Sequence, residues 1–218
     1  VLEAAGFDVT LADERKCCGR PAFSVGRLDR AKQLGEHNVG VLTERYDKIP
    51  VIFLEPSCYS MFAEDYRELR INGAERLAQR CFLFEQFLND LLEREPAALA
   101  FEPGYHWVAI HAHCHAKALT DTSVMTELAR RLPNSTVNML NTGCCGMAGA
   151  FGALSAKYEL SLKVAEPLVA QINNLRAGTH VIASGTSCRH QIDHLTPVTP
   201  LHVAELLAQA LLRPSQGP

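Results

Sequence analysis

Short apolar runs alternate along the chain with longer stretches of helical periodicity. The runs Val51–Leu54, Trp107–Ile110 and Val181–Ala183 are continuous and do not alternate with polar residues. Such runs are typical of parallel strands that are covered on both faces. Amphipathic stretches at about 27–45 and 153–177 follow two of the cysteine motifs. Because strands that alternate with helices indicate βαβ units, the pattern predicts an α/β fold.

The same motifs occur twice along the chain. Cys17-Cys18-Gly19 is echoed by Cys144-Cys145-Gly146, and Ser57-Cys58 is echoed by Ser187-Cys188. The two offsets, from 17 to 144 and from 58 to 188, are 127 and 130 residues. Since two motifs keep nearly one offset, the chain is interpreted as two related halves.

These halves are predicted as two pseudo-repeated half-domains, residues 1–98 and 104–211, each a small parallel sheet flanked by helices. A helix and a short strand are expected before each Cys-Cys-Gly turn, with the strands at Val9–Leu11 and Val137–Leu140. The chain opens without methionine at Val1–Gly6, which has helical character and indicates the edge of a fragment.

Composition limits the class of protein. The chain has 218 residues, eight cysteines and a net charge of −3, which argues against a nucleic-acid partner. It has neither a secretory signal nor an apolar run near the roughly 20 residues that a transmembrane helix needs. A cytoplasmic location is expected, with peripheral attachment to the inner face of the cell membrane as an option. Cysteines in that compartment more often bind metals or react than form disulfides.

Four cysteines follow three predicted strands of the second half. This second cysteine set comprises Cys114, Cys144, Cys145 and Cys188. Four thiolates suit either an iron–sulfur cluster or structural zinc. The spacing matches neither the zinc-finger nor the ferredoxin pattern, and adjacent cysteines chelate one small tetrahedral ion awkwardly. An iron–sulfur cluster is therefore the favoured cofactor. Helix N-termini after Cys145 and Cys188 are expected to supply N–H groups to it.

The first half offers a weaker metal set. This first cysteine set comprises Cys17, Cys18 and Cys58, and it lacks a cysteine upstream. Three alternatives are open for this set. It binds zinc, it binds no metal, or it is a structural remnant of a cluster site. Cys81 lies in an apolar stretch and is predicted to be a core residue.

Histidines accompany the second cysteine set. His111, His113 and His115 alternate, so on a strand they would share one face. They could form a metal site, or they could hydrogen-bond to cluster sulfurs and tune the potential. The latter role is predicted for His113, His115 and His190. No nucleotide-binding fingerprint and no serine nucleophile motif is present, so no catalytic residue and no flavin site are predicted in this chain.

The motifs resemble the cysteine-rich (CCG) domain family. The resemblance rests on four segments that span most of the chain, namely His113–Leu119, Cys144–Gly152, Gly185–Ile192 and Leu54–Cys58. It is strongest to the C-terminal iron–sulfur region of bacterial FAD-linked oxidases of the D-lactate and D-2-hydroxyglutarate dehydrogenase type. Glycolate oxidase iron–sulfur subunits are related.

That resemblance implies a flavin-linked 2-hydroxy-acid oxidoreductase. An upstream domain or separate flavoprotein subunit would hold FAD, and electrons would pass through a cluster, expected as 4Fe-4S, to a quinone or redox protein. The implied ligands are the second cysteine set, with the first cysteine set as the weaker one. The isolated chain would be inactive.

Two alternatives stay open. One is a catalytic centre like that of heterodisulfide reductase, whose pattern has C-x-x-C at each repeat end. Glu55 and Gly185 occupy the first position of that pattern here, which counts against disulfide chemistry. The other alternative is a zinc-stabilised or metal-free domain that docks a partner.

Overall fold

Two small parallel sheets form the centre of the protein in a computed structural model, which describes residues 1–212. The strands β1 (Val51–Phe53) and β2 (Cys81–Leu83) pair with each other. The second sheet places β3 (His106–His111) between β4 (Ser135–Met139) and β5 (His180–Ala183). Helices flank both sheets, so the predicted α/β class is confirmed.

The helices occupy most of the sequence between the strands. In chain order they are Arg20–Ser24 (α1), Leu28–Glu44 (α2), Pro56–Ser60 (α3), Tyr66–Glu68 (α4), Ala74–Ala78 (α5), Phe84–Arg94 (α6), Cys114–Leu119 (α7), Ser123–Arg130 (α8), Tyr158–Asn173 (α9), Thr186–Leu195 (α10) and Val203–Ala210 (α11). A π-helical turn, Met61–Asp65, joins α3 to α4. None of the helices within the described residues has the length and apolar character needed to span a bilayer.

Leucine-rich helix faces cover the three-stranded sheet. Leu88 of α6, Leu128 of α8 and Leu207 of α11 are fully buried together with Val108 and Ile110 of β3. A separate cluster beside β1 and β2 contains Met61, Tyr66 and Leu77. These cores make the strands rigid, and the loops that follow the strands are therefore held in defined positions.

Several expected elements differ in the structure. Val1–Gly6 forms turns rather than a helix, and Val9–Leu11 is irregular rather than a strand. Leu11 is 72% exposed, so its apolar side chain has no sheet to cover. The helix expected from about residue 153 begins only at Tyr158, after short 3₁₀ turns at Phe151–Ala153 and Ser155–Lys157.

Candidate metal centre

The second cysteine set lies beyond the carboxyl edge of the three-stranded sheet. Because β3, β4 and β5 are parallel, their following loops emerge at the same edge. Cys114 opens the helix after β3, and Cys188 lies in the first turn of α10 after β5. Cys144 and Cys145 follow β4. The topology thus brings together cysteines that are up to 74 residues apart in sequence, from 114 to 188.

These four thiols lie close enough to one another to shift each other's pKa values. Hydrogen bonds from Cys114 and then Cys145 hold the pKa of Cys144 far below its usual range. The hydrogen bond with Cys145 is also the main reason why the pKa of Cys188 falls to about 5. The same bonds raise the pKa values of Cys114 and Cys145, which act as the donors. The four neighbouring sulfurs form a donor set that fits metals with an affinity for sulfur.

The Cys-Cys-Gly turn packs directly against α9. Gly146 has φ of 92°, and a Cβ added there would lie 2.2 Å from the carbonyl oxygen of Ser161. Only a glycine allows this approach, and Gly146 donates its N–H to Cys144 Sγ at 3.3 Å. The expectation of a helix starting after Cys145 is wrong, because the segment instead turns through Ala148 and Gly149 before a 3₁₀ turn.

Of the histidines at 111, 113 and 115, His111 is the one that lies beside sulfurs of the second cysteine set. It is fully buried at the end of β3, and its Nδ1 lies 2.9 Å from Thr142 Oγ1. Its Nε2 is buried and has no hydrogen-bond partner among residues 1–212. A ring nitrogen of His111 and the sulfurs of Cys145 and Cys188 all lie within 4.8 Å of one another. The sequence pattern offered His111, His113 and His115 as a possible metal site, but it did not indicate which of the three lies beside the cysteines.

His113 and His115 face the other sheet. The three histidines do not share one strand face, since β3 ends at His111 and His113 caps α7. His113 Nδ1 accepts the N–H of His115, so its Nε2 carries the proton and donates to Ser57 Oγ at 3.4 Å. His115 Nδ1 lies 3.3 Å from Ser60 Oγ. His190 is exposed on α10.

The first cysteine set is held by a polar network around the other Cys-Cys-Gly turn. Asn38 donates to the Cys17 carbonyl at 3.2 Å, and Tyr66 Oη donates to the Cys18 carbonyl at 2.8 Å. A hydrogen bond from Cys58 is the main reason why the pKa of Cys18 falls to about 7, and it raises that of Cys58. Cys18 is buried and Cys17 is exposed, so this set is open to solvent on one side.

Cys81 is separate from both sets. It is 4% exposed within the apolar core beside β1 and β2, and its thiol donates to the Leu77 carbonyl at 3.2 Å. Burial raises its pKa to about 12, so it stays a thiol at neutral pH. The prediction of a core role for Cys81 is confirmed.

Gly185 and Glu55 hold equivalent places before the two Ser-Cys helices. A Cβ at Gly185 would lie 2.2 Å from the His113 ring, so His113 fills the space that a side chain at position 185 would need. Glu55 instead caps both helices, because its carboxylate accepts the N–H of Ser57 at 3.1 Å and the N–H of Thr186 at 2.7 Å. One carboxylate thereby orients the first turns that carry Cys58 and Cys188.

Replacing Glu55 with glutamine is expected to lower stability in a pH-dependent way. Burial alone would raise the pKa of Glu55, but hydrogen bonds from Thr186 and Ser57 outweigh it and leave the pKa lowered. The charge therefore stabilises the fold above the unfolded pKa of about 4.3, and that contribution is lost as pH falls through the folded value. Urea unfolding of wild type and Glu55→Gln should differ at pH 7, and the difference should shrink as the pH falls below about 4.3.

An exposed glutamate provides the control for this measurement. Glu166 lies on the solvent-facing side of α9, so Glu166→Gln should change the unfolding free energy little at either pH. A difference between wild type and Glu55→Gln that stays constant from pH 7 to pH 3 would contradict the role assigned to the carboxylate.

An α/β fold that gathers cysteines at the carboxyl edge of a parallel sheet, with a Cys-Cys-Gly turn in each half of the chain, defines a cysteine-rich domain. The chain belongs to the CCG cysteine-rich domain family, whose pattern matches residues 1–63 and 108–193. Every cysteine of both sets lies within the matched ranges, whereas Cys81 lies outside them.

Several curated relatives are similar over most of this chain. A subunit of the anaerobic glycerol-3-phosphate dehydrogenase of Escherichia coli K12 is 31% identical over 213 residues, which cover 97% of this chain and 53% of that relative. Lactate utilization protein A of an Exiguobacterium species is 27% identical over 228 residues, covering 97% of this chain and 89% of that protein. The chain thus spans about half the length of the dehydrogenase relative.

Proposed function

We propose that this chain is an iron–sulfur-binding electron-transfer component of a flavin-linked oxidoreductase. The observation that carries the proposal is the convergence of Cys114, Cys144, Cys145 and Cys188 at one sheet edge. Because parallel strands end together there, four thiol ligands are arranged before any metal arrives. A site arranged in advance loses little conformational entropy when metal binds.

The second cysteine set supplies the ligands in this proposal, and a 4Fe-4S cluster is the favoured group. Such a cluster, when bound, supplies one-electron transfer at a potential tuned by burial and by hydrogen bonds to sulfur. The chain contributes backbone donors to Cys144 from Gly146 and Ala148. Cys145 and Cys188 are 2% and 1% exposed, and Cys114 is exposed, so one side of the site is accessible to a partner.

The relatives support the reaction context. One is named as part of a dehydrogenase, and another is named for lactate utilization; lactate is a 2-hydroxy acid. We infer that FAD resides on a partner flavoprotein or a further domain, which oxidises a 2-hydroxy acid. A quinone or redox protein then accepts the electrons, with the complex in the cytoplasm or at the inner face of the cell membrane.

The first cysteine set is proposed as a second, weaker metal site. Cys17, Cys18 and Cys58 offer three sulfurs, and the lowered pKa of Cys18 favours its thiolate form near neutral pH. Zinc is a suitable ion for three sulfurs and a fourth, exchangeable ligand. The exposure of Cys17 supports such a solvent-accessible position.

Disulfide reduction of the heterodisulfide reductase type is the less favoured function. That pattern needs a thiol at the positions of Glu55 and Gly185. Glu55 is committed to two backbone donors, and the space beside Gly185 is filled by His113. Neither position offers sulfur, and position 185 has no room for it, so electron transfer is the function that the site supports best.

Anaerobic purification followed by iron and acid-labile sulfide analysis tests the proposal. We expect iron and sulfide in equal amounts, about four of each per cluster, together with a paramagnetic signal after reduction and no bound flavin. A chemically reduced partner flavoprotein should pass electrons to the loaded chain. Zinc without sulfide would instead identify a docking domain, and stoichiometric FAD in the isolated chain would contradict the division of cofactors proposed above.

A further inference from the structure

Nε2 of His111 is buried without a hydrogen bond of ordinary length among residues 1–212, although the ring interacts with the Cys188 thiol. The residue is 0% exposed, and Thr142 engages Nδ1 but not Nε2. Leaving such a polar atom buried and unpaired costs about 1–3 kcal/mol. That cost is recovered if the nitrogen gains a ligand bond in the loaded protein, and imidazole nitrogen is a common metal ligand.

Two cysteine sulfurs lie beside the His111 ring. One ring nitrogen of His111 and the sulfurs of Cys145 and Cys188 lie within 4.8 Å of one another. Ligand atoms bonded at about 2.0–2.3 Å to one tetrahedral metal are roughly 3.5–3.8 Å apart. The three donors therefore need to approach by only about 1 Å to bind the same metal atom. We propose that His111 Nε2 is a further metal ligand of the centre that Cys145 and Cys188 also bind.

Thr142 orients the imidazole for this role. When Nδ1 carries the ring proton, it donates to Thr142 Oγ1, and the lone pair of Nε2 is free for metal. Lys117 Nζ in turn donates to the Thr142 carbonyl at 2.6 Å, which restrains the loop after β4. His113 is different, because its two nitrogens contact His115 N–H and Ser57 Oγ.

The proposal rests on the proposed function for the identity of the metal, but it can be tested with cobalt alone. Metal-free, reduced protein is titrated with Co²⁺ under anaerobic conditions, in a background carrying Cys18→Ser and Cys58→Ser so that the first cysteine set does not compete. We expect the visible bands of tetrahedral Co²⁺ with thiolate ligands. Loss of a hydrogen bond to a ligand costs roughly 10–100-fold in affinity, so His111→Ala should lose at least about 100-fold and Thr142→Val about 10-fold.

His106→Ala is the matched control. His106 begins the same strand that His111 ends, and its Nε2 is likewise buried and unpartnered, but it lies at the opposite edge of the sheet. Its replacement should leave the Co²⁺ affinity and the visible spectrum unchanged. Equal affinity and an identical spectrum in His111→Ala and the background protein would overturn the proposal.

X-ray absorption of the Co²⁺-loaded background protein keeps the test valid if His111→Ala does not fold. The outer-shell scattering of an imidazole ring should be present together with sulfur, and a shell of sulfur alone would overturn the proposal. Iron and sulfide loading reports separately on the proposed function. If the protein loads iron and sulfide but the cobalt site shows no imidazole, only this inference is refuted. If the cobalt binds imidazole but no iron and sulfide are loaded, only the proposed function is refuted.

Discussion

Replacing Cys145 with serine is expected to abolish iron loading while leaving the fold formed. Cys145 is 2% exposed and lies between Cys144 and Cys188, each of which raises its pKa, so it occupies the middle of the group of thiols. A serine hydroxyl also donates hydrogen bonds but binds soft metals poorly, because it is not ionised at neutral pH. Iron and sulfide content should fall to background. The melting temperature of the metal-free protein should move by only a few degrees, as about 1 kcal/mol implies.

Cys81→Ser is the matched control for this experiment. Cys81 is equally buried, but it lies in the apolar core beside β1 and β2, where its thiol bonds to the Leu77 carbonyl. The variant should keep its full iron content and lose about 1 kcal/mol of stability. Loss of iron from Cys81→Ser, with retention in Cys145→Ser, would show that the ligands have been assigned wrongly.

Gly146→Ala is expected to destabilise the protein severely and to prevent metal loading. The positive φ costs an alanine about 1–2 kcal/mol. The added Cβ also meets the Ser161 carbonyl oxygen at 2.2 Å, an atom fixed within α9, so the Cys-Cys turn must move away from the helix. We expect a total loss above about 4 kcal/mol, measured by urea unfolding of the metal-free protein.

Gly149→Ala separates the steric part of this effect from the backbone part. Gly149 also has a positive φ, of 71°, but no atom lies within 4 Å of a Cβ added there. The Gly149→Ala variant should lose only about 1–2 kcal/mol of stability, which is the cost of the left-handed conformation, and it should keep its iron. Similar losses in the two variants would mean that the contact with Ser161 does not hold the turn.

Much of the candidate site could be predicted from local pattern. The apolar runs at β1, β3 and β5 were recognised because buried parallel strands need continuous Val and Ile. Once those strands are parallel, the segments after them must meet at one edge. The grouping of Cys114, Cys144, Cys145 and Cys188 as candidate ligands therefore followed from sequence position alone. The ligand roles themselves remain predictions.

Local pattern failed where an element had no surface to pack against. Val9–Leu11 has strand-like residues, but it stays irregular because no neighbouring strand supplies hydrogen bonds to it. The long helix likewise starts at Tyr158 rather than near 153, because Gly152 lies against Met147 and Ser161 within the turn that carries the cysteines. Tertiary contacts override helical propensity in such places.

The sequence by itself determined the α/β class, the two Cys-Cys-Gly turns and the cysteines that follow β3, β4 and β5. These features depend on residues that are neighbours in the chain. Only the tertiary structure decided which histidine keeps a free nitrogen. His111 and His113 are two residues apart in similar sequence, yet one faces Cys188 and the other donates to Ser57. The tertiary structure also decided that the Glu55 carboxylate accepts the N–H of Thr186, which is 131 residues away in sequence. Such pairings depend on how the two sheets pack, and no local pattern encodes that packing.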